Sequence, residues 1–305
     1  MTAPHAASVA LRLEDVAVAF GDAPDAPGLA GCALAVARGE RVVILGPSGA
    51  GKTTLLRAVA GLAPVRAGRV WVAPNDGGGG APRDVTALPP ERRDAVYLHQ
   101  TPTPFAHLTV FENVAFPLRV RGMRGAELTR RVRDALALVR LDAYAARMPH
   151  ALSGGQRHRM TLARAVVARP AVLLLDEPLA SLDPALREEV RGAIVAAQEE
   201  AGAALVLVTH DLDEAAALAH RVAVLTDRTL QPAVPPGELF ARPATLAVAR
   251  FLALGTEVAG EVGADGCFRS ALGTWPPRAG LAPGPAVAVV RADAARLLGA
   301  VESWD

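Results

Sequence analysis

The chain has 305 residues, of which 51% are hydrophobic, so it is long enough for one large domain with a sizeable core and a smaller one. Its formal net charge of +1 gives no overall attraction to nucleic acid, and we expect no nucleic-acid partner. The first residues lack the basic and apolar segments of a signal peptide, and no stretch approaches the roughly 18 uninterrupted apolar residues of a membrane span. We therefore expect a cytoplasmic protein that reaches a membrane only through a partner.

Three short apolar runs predict the core strands of the fold. They are Arg41–Leu45, Ala171–Leu175 and Ala204–Val208, and the first stops at a glycine. Unbroken runs of this kind are typical of parallel strands that are buried on both faces. Between them lie segments in which apolar residues follow helical spacing, and this alternation predicts an α/β fold.

The first of these strands leads into a loop with three glycines, Gly46, Gly49 and Gly51. Glycines leave backbone N–H groups free to surround phosphate oxygens, and the helix that follows adds positive potential at its N-terminus. Lys52 is predicted to reach the β- and γ-phosphates, and the hydroxyl of Thr53 to bind Mg²⁺. Lys52 is the only lysine among 32 basic residues. A lysine presents a compact charge on a thin stem, whereas the planar fork of arginine needs more room.

Residues Ala126–Arg140 are predicted to form a helix with one apolar face. The apolar positions follow helical spacing at Leu128, Val132, Leu136 and Val139. The other face is rich in arginine, which would also suit nucleic acid. Acidic residues interrupt the basic cluster, however, and Glu127 precedes Arg131 by four positions, so a solvated helix face is the favoured interpretation.

A second helix start carries small and polar residues. The segment Leu152–Gln156 precedes a helix with apolar side chains along one face. The hydroxyl of Ser153 and the glycine amides after it would form a second anion-binding helix N-terminus. A serine followed by small residues is also common as an ordinary N-cap, so both interpretations stand at this point.

The strand at Ala171–Leu175 ends in two carboxylates, Asp176 and Glu177. In a parallel sheet they lie at the carboxyl edge, where the phosphate loop also lies. Asp176 is predicted to hold Mg²⁺ through water, and Glu177 to polarise an attacking water as general base. Two acidic residues after a strand could instead begin a helix. The phosphate loop upstream favours the catalytic interpretation.

These motifs and their order resemble the nucleotide-binding subunit of the ATP-binding cassette (ABC) transporters, from about residue 10 to residue 240. Val172–Glu177 matches the Walker B motif of that family. The Walker A match comprises Gly46, Pro47, Ser48, Gly49, Ala50, Gly51, Lys52, Thr53 and Thr54, and the signature match comprises Leu152, Ser153, Gly154, Gly155 and Gln156. The resemblance implies a P-loop NTPase core of the RecA type, with an N-terminal antiparallel β region and a helical subdomain inserted at about residues 100–167.

The resemblance implies roles for four further residues. Gln100 matches the Q-loop glutamine, which acts at the nucleotide and its Mg²⁺, and His210 matches the switch histidine that contacts the γ-phosphate. Asp183 matches the D-loop, together with Ser181 and Leu182. Phe20 occupies the place of the aromatic residue that stacks on adenine. The alternative for Phe20 is structural, since it also continues an alternating strand face with two valines before it.

Family geometry implies a head-to-tail dimer in which each ATP lies between one Walker A motif and the opposing Ser153–Gly155. Closure on ATP and reopening after hydrolysis would move a separate transmembrane permease. The chain is then expected to sit peripherally on the cytoplasmic face of the cell membrane. A substrate-binding protein is a further expected partner. The solute and the permease leave no trace in this subunit.

Three segments resemble importers of the ferric iron, polyamine, sulfate, molybdate and sugar group: Thr86–Asp94, Asp213–Ala219 and Pro236–Pro243. Beyond them the chain turns to short segments rich in glycine and proline, which predict a β-rich appendage. We therefore divide the chain into an ATPase domain at 1–240 and a short region at 241–305 that is similar to the TOBE domain of these importers, notably at Val289–Leu297. At Asp227–Thr229 the chain departs from the glycine of the family.

The alternative function is that of a soluble ABC-type ATPase in DNA repair or translation. Repair forms carry a long coiled coil between Walker A and the signature, and the sequence has no sustained heptads there. Translation forms usually carry two such cassettes in one chain. A regulatory module without hydrolysis is a third possibility, which Glu177 and His210 argue against. Import is therefore the favoured hypothesis.

Overall fold

The computed structural model describes residues 8–21, 28–75, 80–180, 182–277 and 282–290. The chain divides into two compact units, 1–236 and 237–305. The division into an ATPase domain at 1–240 and a TOBE-like region at 241–305 stays a prediction. Within the described ranges, no helix is long and apolar enough to cross a membrane.

The first unit is mixed α/β, as predicted. Its strands are β1 (Val9–Ala19), β2 (Gly28–Ala37), β3 (Arg41–Leu45), β4 (Val65–Val72), β5 (Arg83–Asp84), β6 (Ala95–Leu98), β7 (Val172–Asp176), β8 (Ala204–Thr209), β9 (Arg221–Thr226) and β10 (Thr229–Leu230). Its helices are α1 (Lys52–Ala60), α2 (Val110–Val120), α3 (Gly125–Leu138), α4 (Gly154–Val166), α5 (Pro184–Ala201) and α6 (Leu212–Leu218). Short 3₁₀ turns occur at Pro90–Arg92, Asp142–Tyr144 and Pro149–Ala151.

The central sheet has the strand order β10-β9-β3-β8-β7-β6. All neighbours pair in parallel except the β9–β10 hairpin. The predicted core strands correspond to β3, β7 and β8, and every residue of β7 and β8 is buried. Because the strands are parallel, their carboxyl ends lie along one edge, and the segments that follow them are brought together there.

A second, antiparallel sheet has the order β2-β1-β4-β5 and confirms the predicted N-terminal β region. Val16 and Val18 on β1 are buried in a core shared with β3 and α1. Helix α1 is thereby held against both sheets. This packing positions the loop before α1 at the edge of the central sheet.

Helices α2, α3 and α4 lie between β6 and β7 in the chain, as predicted for the inserted helical subdomain. The predicted helix at Ala126–Arg140 is α3, one residue earlier at its start and two shorter at its end. Leu128, Val132 and Leu136 are buried, and Glu127 forms ion pairs with its neighbouring arginines on the exposed face. The solvated-face interpretation is confirmed.

The region around and beyond residue 236 contains α7 (Pro236–Ala241), α8 (Leu246–Phe251) and the strands β11 (Thr256–Val262), β12 (Phe268–Ser270), β13 (Gly273–Trp275) and β14 (Gly284–Val290). The four strands form an antiparallel sheet of order β13-β12-β11-β14, so the region is rich in β-structure, as predicted. Its similarity to a TOBE domain stays a prediction. Of the segment Val289–Leu297, positions 291–297 lie outside the described residues.

The departure at Asp227–Thr229 has a structural explanation. Thr226 pairs with Thr229, so Asp227 and Arg228 form the two-residue turn of the β9–β10 hairpin. Both have positive φ values, 49° and 62°. Positive φ at both central positions is the geometry that matches the twist of the flanking strands, and aspartate tolerates it better than most residues.

Candidate functional site

The strand register brings the predicted phosphate loop beside Glu177 and His210, two of the three predicted catalytic residues, the third being Gln100. Leu45, the last residue of β3, pairs with Thr209, and Asp176, the last residue of β7, pairs with Val208. The residues that follow, Gly46, Glu177 and His210, are therefore neighbours at the carboxyl edge of the sheet. The site is assembled from the ends of three parallel strands.

The phosphate loop approaches the sheet so closely that Gly46 has no space for a side chain. A Cβ there would lie 2.4 Å from the carbonyl oxygen of Leu225 on β9. The loop ends at Gly51, the N-cap of α1, where no side chain accepts a hydrogen bond from the helix N-terminus. Helices α2 and α4, by contrast, are capped by the hydroxyls of Thr109 and Ser153. An N-terminus of α1 without a side-chain acceptor suits an anionic ligand, and a polyphosphate fits this loop.

Lys52 folds back onto its own loop. Its Nζ donates to the carbonyl oxygens of Gly46, at 2.7 Å, and Pro47, at 3.0 Å, and it lies 3.9 Å from Oε1 of Glu177. The side chain is only 5% exposed. Burial lowers the pKa of Lys52, and the carboxylates of Glu177 and Asp176 oppose that effect. The ammonium therefore lies in the phosphate loop beside the strand-end carboxylates.

Asp176 receives hydrogen bonds on both of its carboxylate oxygens. The hydroxyl of Thr53 donates to Oδ1 at 2.8 Å, and the hydroxyl of Tyr97 donates to Oδ2 at 2.6 Å. Hydroxyl and carboxylate oxygens are the ligands that Mg²⁺ prefers, and it usually binds to one or two carboxylates together with substrate phosphates. The donor set at Thr53 and Asp176 therefore fits the predicted magnesium.

Tyr97 was not predicted from the sequence. It lies on β6, opposite Leu174 of β7, in a run of apolar residues that gives it the character of a core position. The only available signal was chemical, because the hydroxyl of a buried tyrosine usually needs a hydrogen-bond partner. Which partner it finds depends on the pairing of β6 with β7, which no local pattern shows.

Glu177 follows β7 with a positive φ of 44°. Its backbone N–H donates to the carbonyl of Val208 at 3.0 Å, and its Oε2 lies 3.4 Å from Nδ1 of His210. His210 is half exposed, while Glu177 is 22% exposed and so remains within reach of solvent. The hypothesis that the two acidic residues begin a helix is wrong, because Asp176 belongs to β7 and the next helix begins at Pro184.

Among the described residues, Gln100 and Phe20 form no hydrogen bond or ion pair with this cluster, and their surroundings differ. Gln100 follows β6, the edge strand next to β7, and is exposed. Phe20 is 38% exposed and lies against the phosphate loop, since a Cβ on Gly51 would be 2.6 Å from Cε1 of its ring. The two valines before Phe20 on this face are buried, but the aromatic ring is not. This position favours stacking on a ligand at the loop over a role in the core.

The signature residues contact one another at the start of α4. Ser153 Oγ accepts from the N–H of Gln156 at 3.3 Å, and Gln156 Oε1 accepts from the N–H of Ser153 at 2.9 Å. The ordinary N-cap interpretation is thus confirmed, and it leaves the anion-binding one open. Gly155 packs against Leu186 of α5, whereas no atom lies within 4 Å of a Cβ built on Gly154. Ser153 and Gly154 are exposed.

Among the described residues, the predicted site therefore divides into two groups. One cluster contains Lys52, Thr53, Asp176, Glu177 and His210. Its members are joined by the Thr53–Asp176 hydrogen bond, by the contacts of Glu177 with Lys52 and His210, and by the charge interaction between Lys52 and Asp176. The signature is the second group, at the start of a separate helix. Asp183 caps α5, accepting a hydrogen bond from the N–H of Leu186 at 3.0 Å. Ser181 lies outside the described residues.

Comparison with known proteins gives a consistent family. Residues 29–180 match the family described as ABC transporter. The spermidine/putrescine import ATP-binding protein PotA of Photobacterium profundum is 44% identical over 224 residues, which cover 73% of this chain and 58% of that protein. PotA of Escherichia coli (strain K12) is 42% identical over 219 residues, covering 72% and 56%. The chain thus spans little more than half the length of these relatives.

A solved structure agrees with these sequence matches. CbiO1 from Clostridium perfringens, described as part of the ABC transporter complex CbiONQ, superposes with a TM-score of 0.65 at 26% identity. The match covers 77% of this chain and 92% of CbiO1. Together with the fold, these similarities mean that the chain belongs to the ABC transporter family.

Proposed function

We propose that this chain binds and hydrolyses ATP and powers the import of a solute through a separate membrane permease. One observation carries the proposal: the carboxylate of Glu177 lies between the phosphate-loop Lys52 and His210, beside the Asp176–Thr53 pair. A general base, a phosphate-binding cation and oxygen ligands for a divalent ion are thereby collected at one sheet edge. This is the set of groups that phosphoryl transfer to water requires.

Each residue has a distinct task in this mechanism. The amides of Gly49, Gly51 and Lys52 at the start of α1 bind the phosphates, and the Lys52 ammonium moves from the loop carbonyls to the β- and γ-phosphates. Glu177 accepts a proton from the attacking water, and His210 orients the γ-phosphate from the end of the neighbouring strand β8. Thr53, Asp176 and Gln100 would hold Mg²⁺, which neutralises the charge that develops on the phosphate oxygens.

The division of the site residues into two groups supports a head-to-tail dimer. The signature presents exposed Ser153 and Gly154 at the N-terminus of α4, with the glycine amides of the first turn free to bind an anion. We propose that this surface completes the ATP site of a second copy of the chain. Phe20, which lies against Gly51 of the phosphate loop, would stack on adenine. Closure on ATP then couples nucleotide binding to motion of the permease.

A cleft of about 420 Å³ beside α2 is a suitable place for the permease to dock. Phe116 and Val120, which line it, are 41% and 70% exposed, and Phe105 packs against Phe116 with ring centroids 4.6 Å apart. Exposed apolar clusters of this kind mark protein interaction sites. CbiO1 is itself described as part of a transporter complex. We propose that the chain sits on the cytoplasmic face of the cell membrane, bound to its permease.

The identity of the solute is tested by reconstituting the transporter in vesicles. The names of the PotA relatives make spermidine and putrescine the first solutes to assay. The chain, its permease and a substrate-binding protein would be assembled in vesicles, and uptake of labelled polyamine measured with ATP inside. Uptake that requires ATP and is lost in the Glu177→Gln complex supports the proposal. ATP hydrolysis that no permease and no solute stimulates would favour the soluble repair or translation function instead.

A further inference from the structure

Tyr97 joins the edge strand β6 to Asp176, the carboxylate at the end of β7. It lies on β6, whose parallel pairing with β7 places Leu98 opposite Leu175, one residue before Asp176. The Tyr97 hydroxyl is 2.6 Å from Oδ2 of Asp176. Since an ionised carboxylate only accepts hydrogen bonds, the phenol is the donor.

The two oxygens of Asp176 accept hydrogen bonds from two different elements of the fold. Thr53, on α1, donates to Oδ1, and Tyr97, on β6, donates to Oδ2. Two hydrogen bonds to the two oxygens of one carboxylate fix the rotation of its plane. Asp176 is 7% exposed, so little water is available to replace either donor.

The Tyr97 phenol also has a charged neighbour. The charge of Arg57, on α1, opposes the rise in the pKa of Tyr97. Burial and the hydrogen bond to Asp176 raise the pKa of Tyr97 to about 12, so the phenol keeps its proton at neutral pH.

We propose that Tyr97 is a positioning residue, which orients the Asp176 carboxylate toward the divalent cation that accompanies ATP. The inference rests on the proposed function, since it needs a cation at Asp176. Thr53 and Asp176 supply the oxygen ligands, and Tyr97 touches neither nucleotide nor cation. Its task is to keep Oδ2 engaged so that Oδ1 stays directed toward Thr53. Groups that orient metal ligands in this way typically change metal affinity by about 10- to 100-fold when removed.

The test separates metal binding from nucleotide binding. Tyr97→Phe removes only the hydroxyl. Binding of Mn²⁺ to the ATP-bound chain would be followed by electron paramagnetic resonance, and ATP binding without metal by a fluorescent ATP analogue in EDTA. We expect Mn²⁺ affinity to fall about 10-fold, while metal-free ATP affinity stays within about twofold. Tyr144→Phe is the matched control, because Tyr144 is the only other tyrosine and contacts Arg147 in the helical subdomain.

Two outcomes would overturn the inference. One is unchanged Mn²⁺ affinity in Tyr97→Phe, and the other is an equal fall in Mn²⁺ and metal-free ATP binding, which marks general damage to the loop. If the wild-type chain itself fails to bind Mn²⁺ with ATP, the proposed function fails rather than the role of Tyr97. The two failures are thus distinguishable.

A second measurement keeps the tyrosine in place. Protein labelled with 3-fluorotyrosine carries two fluorine positions in the chain, and Tyr144→Phe identifies the signal of Tyr97. We expect that signal to shift when Mg²⁺ is added to the ATP-bound protein, because the carboxylate that accepts its hydrogen bond becomes shared with the cation. A signal that responds to ATP but not to Mg²⁺ would contradict the inference even if the Phe variant does not fold.

Discussion

Oε2 of Glu177 lies 3.4 Å from Nδ1 of His210, while Oε1 of the same carboxylate lies 3.9 Å from Nζ of Lys52. The three side chains come from the ends of three neighbouring strands or the loops that follow them. A carboxylate held on both oxygens has a defined orientation, and a general base needs one in order to reach the proton that it abstracts. Replacing the Glu177 carboxylate with a neutral group is therefore the most direct test of the proposed general base.

Glu177→Gln should retain ATP and lose hydrolysis. The amide keeps the shape of the side chain but cannot accept the proton of water, and loss of a general base typically costs about 10²- to 10⁴-fold in rate. ATP that is bound but not hydrolysed should hold two copies together. ATPase assays and size-exclusion chromatography with Mg²⁺ and ATP test both expectations. Glu200→Gln, at an exposed ion pair with Arg169, is the control. Hydrolysis at the native rate would disprove the general-base assignment.

Lys52→Arg should abolish ATPase activity although it preserves charge. The Lys52 nitrogen is enclosed by the carbonyls of Gly46 and Pro47 at 2.7 and 3.0 Å, and a planar guanidinium does not fit there without displacing the loop. We expect a loss of about 100-fold, the size seen when a group that stabilises transition-state charge is removed. Arg169→Lys, at an exposed position, should be neutral. Activity near that of the control would refute the steric argument.

The single lysine also permits a chemical footprint. Apart from the N-terminal amine, Lys52 is the only amine in the chain, and burial lowers its pKa, which increases the unprotonated, reactive fraction. An amine-selective reagent should label it slowly, because the side chain is only 5% exposed, and Mg·ATP should suppress the labelling. Peptide mapping measures both sites, and the N-terminal amine is the internal reference. Labelling of Lys52 at the same rate with and without Mg·ATP would place the nucleotide elsewhere.

The sequence contained enough to predict the parts of the site that depend on local chemistry. Apolar runs predicted β3, β7 and β8. The glycine-rich loop and the Asp176–Glu177 pair were recognised because they stand at the ends of two of these runs. Each of these signals lies within a few residues of the group that it predicts. Helix α3 was predicted for the same reason, because helical spacing is a local pattern.

What the sequence did not reveal depends on contacts between distant segments. Tyr97 has the pattern of a core residue until the pairing of β6 with β7 places its hydroxyl on Asp176. Glu214 has the pattern of an exposed helical acid, and it becomes buried only because α6 packs against β3 and β8. In both cases the position of a polar atom is set by strand order and helix packing, which residue spacing does not encode.

Glu214 should make stability depend on pH. It is 7% exposed, and desolvation, opposed by a hydrogen bond from Thr209 at 2.6 Å, raises its pKa to about 7 from an ordinary value of 4.5. Asp211 and Glu177 add to this effect, and Arg187 opposes it. Because the pKa of Glu214 is higher in the folded chain than in the unfolded chain, the folded chain keeps a proton on Glu214 between about pH 4.5 and 7 that the unfolded chain releases. Stability from this group is complete below about pH 4.5 and is lost as the pH rises through about 7.

The measurement compares Glu214→Gln with the wild type at pH 5 and pH 8. The amide resembles the protonated carboxyl and does not titrate, so the difference between the two proteins isolates this group. The wild type should lose stability relative to the variant as the pH rises, by an amount on the order of 3 kcal/mol at most. Thermal or denaturant unfolding gives the values. A difference between the proteins that stays constant over this pH range would show that Glu214 is ionised in the fold throughout.

The two signature glycines should respond differently to the same methyl group. On Gly155 a Cβ would lie 2.1 Å from Cδ1 of Leu186, so Gly155→Ala requires the Leu186 side chain or α5 to shift and should cost about 1–3 kcal/mol of stability. On Gly154 nothing lies within 4 Å, and alanine is the better helix former by up to about 1 kcal/mol. Gly154→Ala should therefore fold at least as well as the wild type.

If the exposed start of α4 binds the ATP of a second copy, however, the added methyl group lies in that contact and should lower ATPase activity. Unfolding and ATPase assays on both variants test these expectations. Normal ATPase activity in Gly154→Ala would show that the start of α4 is not part of the ATP site.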